Sequence, residues 1–193
     1  MTETKIDPRT SALLVMDYQH GIVAQLPDAE ELVERAASVI AFARERGMQI
    51  GYVRVAFTGA DAEAMPDTSP MAAMVKSRLD ELHADAPTTA IHDAVAPRDG
   101  DIIVRKTRVG PFLTTDLDQQ LRGNGIDTVI LAGISTSGVV LSTVRDAADR
   151  DYRVIVLADG CADPDAEVHT FLTERIFPRQ AQVMTIAELA EAR

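Results

Sequence analysis

The sequence predicts an α/β fold of three layers, α/β/α, built on a mostly parallel, doubly wound sheet of about six strands. Apolar runs rich in β-branched residues alternate with segments of helical spacing along the chain, and such alternation is typical of doubly wound sheets. Most of the runs are almost continuously hydrophobic. Strands with that pattern are covered on both faces, as in parallel sheets.

Six apolar runs are expected to form the strands. They are rich in Val, Ile and Leu, which pack well in buried strands. The last run is short and is the weakest match to the pattern. In chain order the runs are 12–17 (ALLVMD), 50–57 (IGYVRVAF), 101–106 (DIIVRK), 127–133 (DTVILAG), 152–159 (YRVIVLAD) and 181–185 (AQVMT).

Four segments between these runs have the spacing of helices. The longest opens with Asp28 as a cap and an acidic first turn, and it closes with Gly47 just after its last arginine, which are the usual signals for helix ends. In the last segment, Pro164 is expected at the first helical position, with Asp163 as the cap. The predicted helices are 28–47, 114–125, 136–151 and 163–177.

The region at about 58–97 breaks this alternation. It is rich in Ala, Asp, Pro and Met, and it has one helical piece around PMAAMVKSRLDELH. We expect residues 1–193 to form a single domain, with this region as an irregular excursion over one end of the sheet. Excursions of this length usually serve as lids or binding loops.

Composition and charge narrow the possible functions. The formal net charge of −11 repels phosphate backbones and argues against nucleic acid as a partner. No apolar run approaches the length needed to cross a membrane, and the N-terminal segment does not read as a signal peptide, so a cytoplasmic location is expected. The single cysteine and the scattered histidines form no metal-binding pattern. We therefore expect a small-molecule partner, with no metal and no cofactor.

Three predicted strands end in polar groups. Asp17 closes the first, Lys106 closes the third, and the turn GISTSG at 133–138 closes the fourth. Alone, an Asp at a strand end is usually a turn former, and a lone Lys is usually a surface charge. Ligands of open parallel sheets bind at the carboxyl ends of the strands, and opposite charges that meet there perturb each other's pKa. The pair is therefore a candidate active site.

These segments resemble the isochorismatase-like family, which includes cysteine hydrolases such as nicotinamidases and carbamoyl-group amidohydrolases. The resemblance extends over nearly the whole chain and implies an isochorismatase-like, Rossmann-like fold. It rests on VMDYQ, on VRKTRVGPFLTTDLDQQLRGNGIDTVILAGISTSGVVLSTVRDAADRDY and on VLADGCADPDAEVH. The middle block is the specific part, because its Lys, Phe, Thr-x-Leu, strand and Gly-x-x-Thr turn follow the order and spacing of the family.

The resemblance implies that Asp17 is the catalytic acid/base and that Lys106 is its partner. In most members a cysteine nucleophile lies six residues after the glycine that opens the turn, and counting from Gly133 places Val139 there. A valine forms no thioester, so the covalent mechanism is excluded at this position. Cys161 lies after the fifth strand and is expected to be a small buried residue rather than a replacement nucleophile.

Further site residues follow from family position. The backbone N–H groups of Ser135 and Val139 are expected to point into the site as oxyanion donors. Ser135, Thr136 and Ser137 are possible replacement hydroxyls, and Thr136 and Ser137 are also candidate substrate contacts, although hydroxyls at a helix start are usually caps. The remaining candidates are Gln19, Phe57 and Phe112 as substrate-binding residues, His20 as a wall or surface residue, Arg108 as a carboxylate-binding residue, and Arg105, which alternation along the strand directs away from Lys106.

Two functions remain open from the sequence. The first is a small-molecule hydrolase that works by non-covalent acid/base chemistry through Asp17 and Lys106, as true isochorismatases do when they protonate a vinyl ether. The second is a catalytically silent member that binds a small ligand or assists assembly, which the valine at 139 favours. The retained charges favour the enzyme, because buried charges are costly unless they serve each other. The family also implies a homodimer or homotetramer.

Overall fold

The fold is organised around a six-stranded sheet in which all neighbouring strands are parallel. The computed structural model describes residues 6–192; residues 1–5, part of the segment judged not to be a signal peptide, and residue 193 lie outside it. The strand order is β3-β2-β1-β4-β5-β6. The strands are β1 (Ser11–Met16), β2 (Gln49–Val55), β3 (Ile102–Lys106), β4 (Thr128–Ile134), β5 (Arg153–Ala162) and β6 (Gln182–Met184).

Helices cover both faces of the sheet, which confirms the predicted fold class. Alternation along β1 sends Leu13 and Val15 into one apolar cluster and Leu14 and Met16 into the other, because successive side chains of a strand point to opposite faces. The helices are α1 (His20–Val23), α2 (Ala29–Glu45), α3 (Gly59–Ala64), α4 (Ala72–Ser77), α5 (Leu79–Leu82), α6 (Leu117–Gly123), α7 (Leu141–Asp149), α8 (Ala166–Phe171) and α9 (Ile186–Glu191).

The predicted start of the last long helix is wrong. Asp165 is the N-cap of α8, and its side chain accepts hydrogen bonds from the backbone N–H groups of Glu167 and Val168. Pro164 therefore precedes the cap instead of occupying the first helical position. The carboxylate of Asp163 does not cap the helix: its Oδ2 accepts the N–H of Ser137, and its Oδ1 accepts the N–H of the N-cap residue Asp165. This Asp-Pro-Asp sequence offers two possible caps, and tertiary contacts select the second.

Two predicted helices are also less regular than expected. The segment 136–151 starts with a π-helical turn, Thr136–Val140, before α7 begins. The segment 163–177 continues from α8 into a second π-helical turn, Leu172–Ile176. Such π-helical turns occur often at functional sites, and the first of them follows the end of β4.

The excursion at 58–97 is more ordered than the sequence suggests. The expected helical piece is split at Arg78 into α4 and α5, and α3 starts with a capping box in which Thr58 and Asp61 exchange hydrogen bonds. Five buried side chains give the excursion a small core of its own: Phe57, Ala62, Met65, Ala72 and Val75.

The chain was expected to lack a membrane-spanning segment. Among residues 6–192, no helix combines the length and the apolar character that crossing a bilayer requires.

Candidate active site

The candidate site lies at the carboxyl ends of β1 and β4, the two central strands of the sheet. Successive connections from β1 run outward to β2 and β3, whereas β4, β5 and β6 lie on the other side of β1. The chain direction across the sheet therefore reverses between β1 and β4, and ligands of such sheets bind at this reversal. Asp17 directly follows β1, and Ser135 directly follows β4.

Asp17 has an unusual backbone conformation. Its φ is 59°, in the left-handed region that residues other than glycine rarely adopt, although Asp and Asn tolerate it best. Its N–H donates to the carbonyl of Val53 at 2.8 Å, which holds the residue at the end of β1. Outliers of this kind cluster at functional sites, where the surrounding structure maintains them.

Asp17 and Lys106 form a buried ion pair. The distance from Lys106 Nζ to Asp17 Oδ2 is 2.9 Å, and the side chains are only 3% and 6% exposed, respectively. Lys106 Nζ also donates to the carbonyl of Arg108 at 3.3 Å. The structure thus brings together the two charges that the sequence placed at separate strand ends.

One oxygen of Asp17 has no protein partner. Among residues 6–192, Oδ1 is buried and accepts no hydrogen bond. Burial raises the pKa of Asp17 to about 6, because desolvation outweighs the charge and the hydrogen bond of Lys106, which both act to lower it. A carboxyl group with this pKa carries a proton at mildly acidic pH and can donate it, so Asp17 is suited to general acid catalysis.

A cavity of about 280 Å³ opens beside this pair. Its lining comes from both halves of the sheet and from the excursion, which contributes Met71. The wall is mostly apolar, with the ion pair on one side and the turn after β4 on the other. The lining residues are Asp17, Ile22, Gln25, Leu26, Val55, Met71, Lys106, Arg108, Val109, Ile134, Ser135, Gly138, Val139 and Pro164.

The turn after β4 contributes backbone donors and an apolar side chain. Within residues 6–192, the N–H of Ser135, which belongs to no helix or strand, has no hydrogen-bond acceptor, and both Ser135 and Val139 line the cavity. The side chain of Val139 is buried, and it offers no nucleophile to the cavity; that it occupies the nucleophile position of the family stays a prediction. A Cβ added to Gly138 would lie 2.8 Å from Ser135 Oγ, so a side chain there would displace Ser135.

The hydroxyls of Thr136 and Ser137 lie outside this lining. Thr136 is fully buried, and its Oγ1 is 2.8 Å from Nδ1 of His169. A histidine near this turn was not expected, because His169 is far from the turn along the chain and lies on α8. The predicted roles of Thr136 and Ser137 as nucleophile or substrate contact stay predictions, and the structure favours a structural role for Thr136.

Gln19, Phe57 and Phe112 also lie outside the cavity lining. Gln19 Nε2 donates to the carbonyls of Val55 at 2.8 Å and Thr89 at 2.7 Å, so its amide joins β2 to the excursion. Phe57 is buried in the small core of the excursion, and the ring centroid of Phe112 lies 6.1 Å from that of Tyr152. Their substrate-binding roles stay predictions, and their positions favour packing.

The remaining polar candidates fall into two groups. Arg108 lines the cavity, whereas Arg105 binds Asp61 at 2.7 Å and the carbonyl of Ala56, away from Lys106 as alternation predicts. His20 is partly exposed and stacks at 4.8 Å on His92, outside the lining.

Cys161 is buried, and desolvation raises the pKa of its thiol to about 12, so it is an unreactive packing residue. Within the described residues, no group of three or more His, Cys, Asp or Glu side chains is arranged to hold a metal ion.

Comparisons with known proteins identify a family. Residues 11–188 match the model of the isochorismatase domain. The isochorismatase family protein YecD of Escherichia coli O157:H7 is 36% identical, and the match covers 97% of this chain and 98% of that protein. Maleamate amidohydrolase of Pseudomonas putida is 30% identical over 83% of this chain and 76% of its own length.

A solved structure supports the same relationship. The structure of an isochorismatase family protein from Burkholderia thailandensis superposes with a TM-score of 0.83 at 31% identity, and the match covers 99% of this chain and 98% of that one.

Proposed function

The chain belongs to the isochorismatase family, and we propose that it hydrolyses a small molecule by non-covalent acid/base chemistry. Asp17 is the general acid, and Lys106 holds its charge state. The observation that carries the proposal is the unpartnered Oδ1 of Asp17, buried beside a cavity of small-molecule size. One of the relatives, a maleamate amidohydrolase, is named for a small-molecule substrate, which supports this substrate class.

The proposed reaction begins with proton transfer from Asp17. With a vinyl ether as substrate, the proton goes to the terminal carbon of the double bond and leaves an oxocarbenium ion. Water then adds to that ion and, after losing one proton, forms a hemiketal. The second proton of that water passes to the ether oxygen as the ether C–O bond breaks, giving an alcohol and a ketone. Asp17 regains its proton from the water that was added, so no covalent intermediate with the protein is required.

Lys106 and the turn after β4 have separate tasks in this mechanism. The ammonium group at 2.9 Å stabilises the carboxylate that remains after proton transfer. The backbone N–H groups of Ser135 and Val139 bind an oxygen of the substrate, while the valine side chain leaves the apolar wall intact. Apolar walls around the carboxyl group keep water away and hold its pKa up.

The proposal is tested by a pH profile. A panel of vinyl ethers, amides and esters is screened near pH 6, and kcat/KM of the best substrate is then measured from pH 4 to 9. Because Asp17 acts in its protonated form and its pKa is about 6, we expect kcat/KM to be level below that pH and to fall about tenfold per pH unit above it. A rate that rises through pH 6 would contradict the acid role.

A catalytically silent, ligand-binding member is the second candidate function. The observation that favours it is the buried Val139 at the nucleophile position. This function predicts that panel compounds raise the melting temperature of the protein without being consumed. Turnover that depends on Asp17 would exclude it.

Restoring a thiol at position 139 tests which way this residue faces. We expect Val139→Cys to react with thiol reagents and to confer slow amidase or esterase activity, because the backbone N–H groups of the turn are already present beside it. Val140→Cys is the matched control, since Val140 is fully buried in the core and is not among the residues that line the cavity. Cys161 is buried with a raised pKa and contributes little background. Equal reactivity of the two variants would show that residue 139 does not face the cavity.

A further inference from the structure

Two side chains from the segment after β5 hold the turn that follows β4. Asp163 Oδ2 accepts the N–H of Ser137 at 2.7 Å. The imidazole Nδ1 of His169 lies 2.8 Å from Oγ1 of Thr136. Both contacts therefore fall on consecutive residues of the π-helical turn Thr136–Val140.

These contacts leave the other polar groups of the turn facing the cavity. Ser135, Gly138 and Val139 line it, while Thr136 and Ser137 are held by the two side chains from the other segment. In the described residues the N–H of Ser135, which lies just before the turn, has no acceptor, and Val139 is part of the turn itself. The direction of the Ser135 N–H is therefore set through its neighbours rather than by a hydrogen bond of its own, and the direction of the Val139 N–H follows the orientation of the turn.

We propose that Asp163 and His169 are positioning residues that hold the N–H groups of Ser135 and Val139 in the direction needed to bind a substrate oxygen. Neither residue lines the cavity, so both act through the turn. The effect on turnover rests on the proposed function, whereas the effect on the backbone does not.

The chemistry of both contacts suits this role. Burial lowers the pKa of His169, against the opposing charge of Asp163, so the ring is neutral at pH 7 and offers one donor and one acceptor nitrogen. The hydroxyl of Thr136 can donate to Nδ1 or accept from it, so it pairs with the ring in either tautomer. Because Thr136 is fully buried, loss of the imidazole leaves a buried hydroxyl without a partner, which is costly. A rearrangement of the turn that gives this hydroxyl another partner would then lower the free energy.

The test uses the full chain labelled with ¹⁵N, and it follows the amide signals of Ser135 and Val139. We expect His169→Phe, which keeps a ring and removes both nitrogens, to shift and broaden these two signals. His169→Asn, which keeps a polar atom near Nδ1, restores them. Thr170→Ala is the matched control, because Thr170 is the next residue and its hydroxyl bonds only to the carbonyl of Ala166 on its own helix.

Two further variants guard against a folding defect in His169→Phe. Thr136→Val removes only the hydroxyl partner, and Asp163→Ala removes only the carboxylate; both are expected to move the same two signals. For any substrate found, kcat/KM is expected to fall about a hundredfold in His169→Phe, since small misplacements have effects of this size. Folded variants with unchanged Ser135 and Val139 signals would overturn the proposal. Because these signals require no substrate, a negative panel does not obscure the result.

Discussion

Asp17→Asn is expected to lower kcat/KM by about 10²- to 10⁴-fold, the range that a positioned general acid supplies, while the fold stays intact. The amide has the shape of the carboxyl group but carries no acidic proton. The amide oxygen of the asparagine, placed where Oδ2 of Asp17 lies, can still accept the hydrogen bond that Lys106 Nζ donates across 2.9 Å. After glycine, Asn and Asp are the residues that best tolerate a positive φ such as the 59° at this position. Steady-state kinetics and thermal unfolding measure the two effects separately.

Asp151→Asn is the matched control for this substitution. Asp151 has a φ of 61°, so the same chemical change is made in the same backbone conformation, at an exposed position on the α7–β5 connection. We expect its kinetics to equal those of the wild type. The acid role fails if Asp17→Asn, folded, retains full activity on the best panel substrate.

Lys106→Met is expected to destabilise the protein by about 3–5 kcal/mol at neutral pH, the usual effect of removing one partner of a buried ion pair. Without Lys106, the charge and the hydrogen bond that lower the pKa of Asp17 are both lost, so that pKa rises above about 6. The folded state then binds more protons than the unfolded state between about pH 4 and the raised pKa. Stability of the variant therefore falls as pH rises through this window.

Denaturant unfolding at several pH values measures this loss, and carboxyl ¹³C titration reports the pKa of Asp17. Lys76→Met is the control, because Lys76 pairs with Asp67 at a similar distance of 2.7 Å on the exposed surface, where such pairs contribute little. A pKa for Asp17 that stays near 6 in Lys106→Met would show that the ammonium does not govern its proton.

Convergence of Asp17 and Lys106 was predictable from the sequence because of a general property of parallel sheets. All strands of such a sheet end at the same edge, so residues that close separate strands become neighbours. The structure shows β2 lying between the strands that carry the two residues, and the long side chain of Lys106 reaches past it. The prediction that Val139 lies at the nucleophile position of the family required only the count of residues from Gly133.

Contacts that depend on tertiary packing were not predictable. The approach of His169 to Thr136 requires the direction in which α8 leaves the sheet, and this direction depends on Asp165 rather than Asp163 being the cap. No local pattern distinguishes these two acidic residues. Likewise, Gln19 was expected near the substrate, but its amide satisfies backbone groups of Val55 and Thr89, a demand that appears only after the excursion has folded onto β2.

Strand β3 lies at the edge of the sheet and has β2 as its only neighbouring strand. Its last two residues have different tasks: Arg105 binds Asp61 of the excursion, and Lys106 binds Asp17. Edge strands are prone to local opening below the free energy of global unfolding. A single opening of β3 would break both contacts, so it would release the excursion and expose Asp17 to water at the same time. Amide exchange rates along β3 would therefore report how often the ion pair is broken.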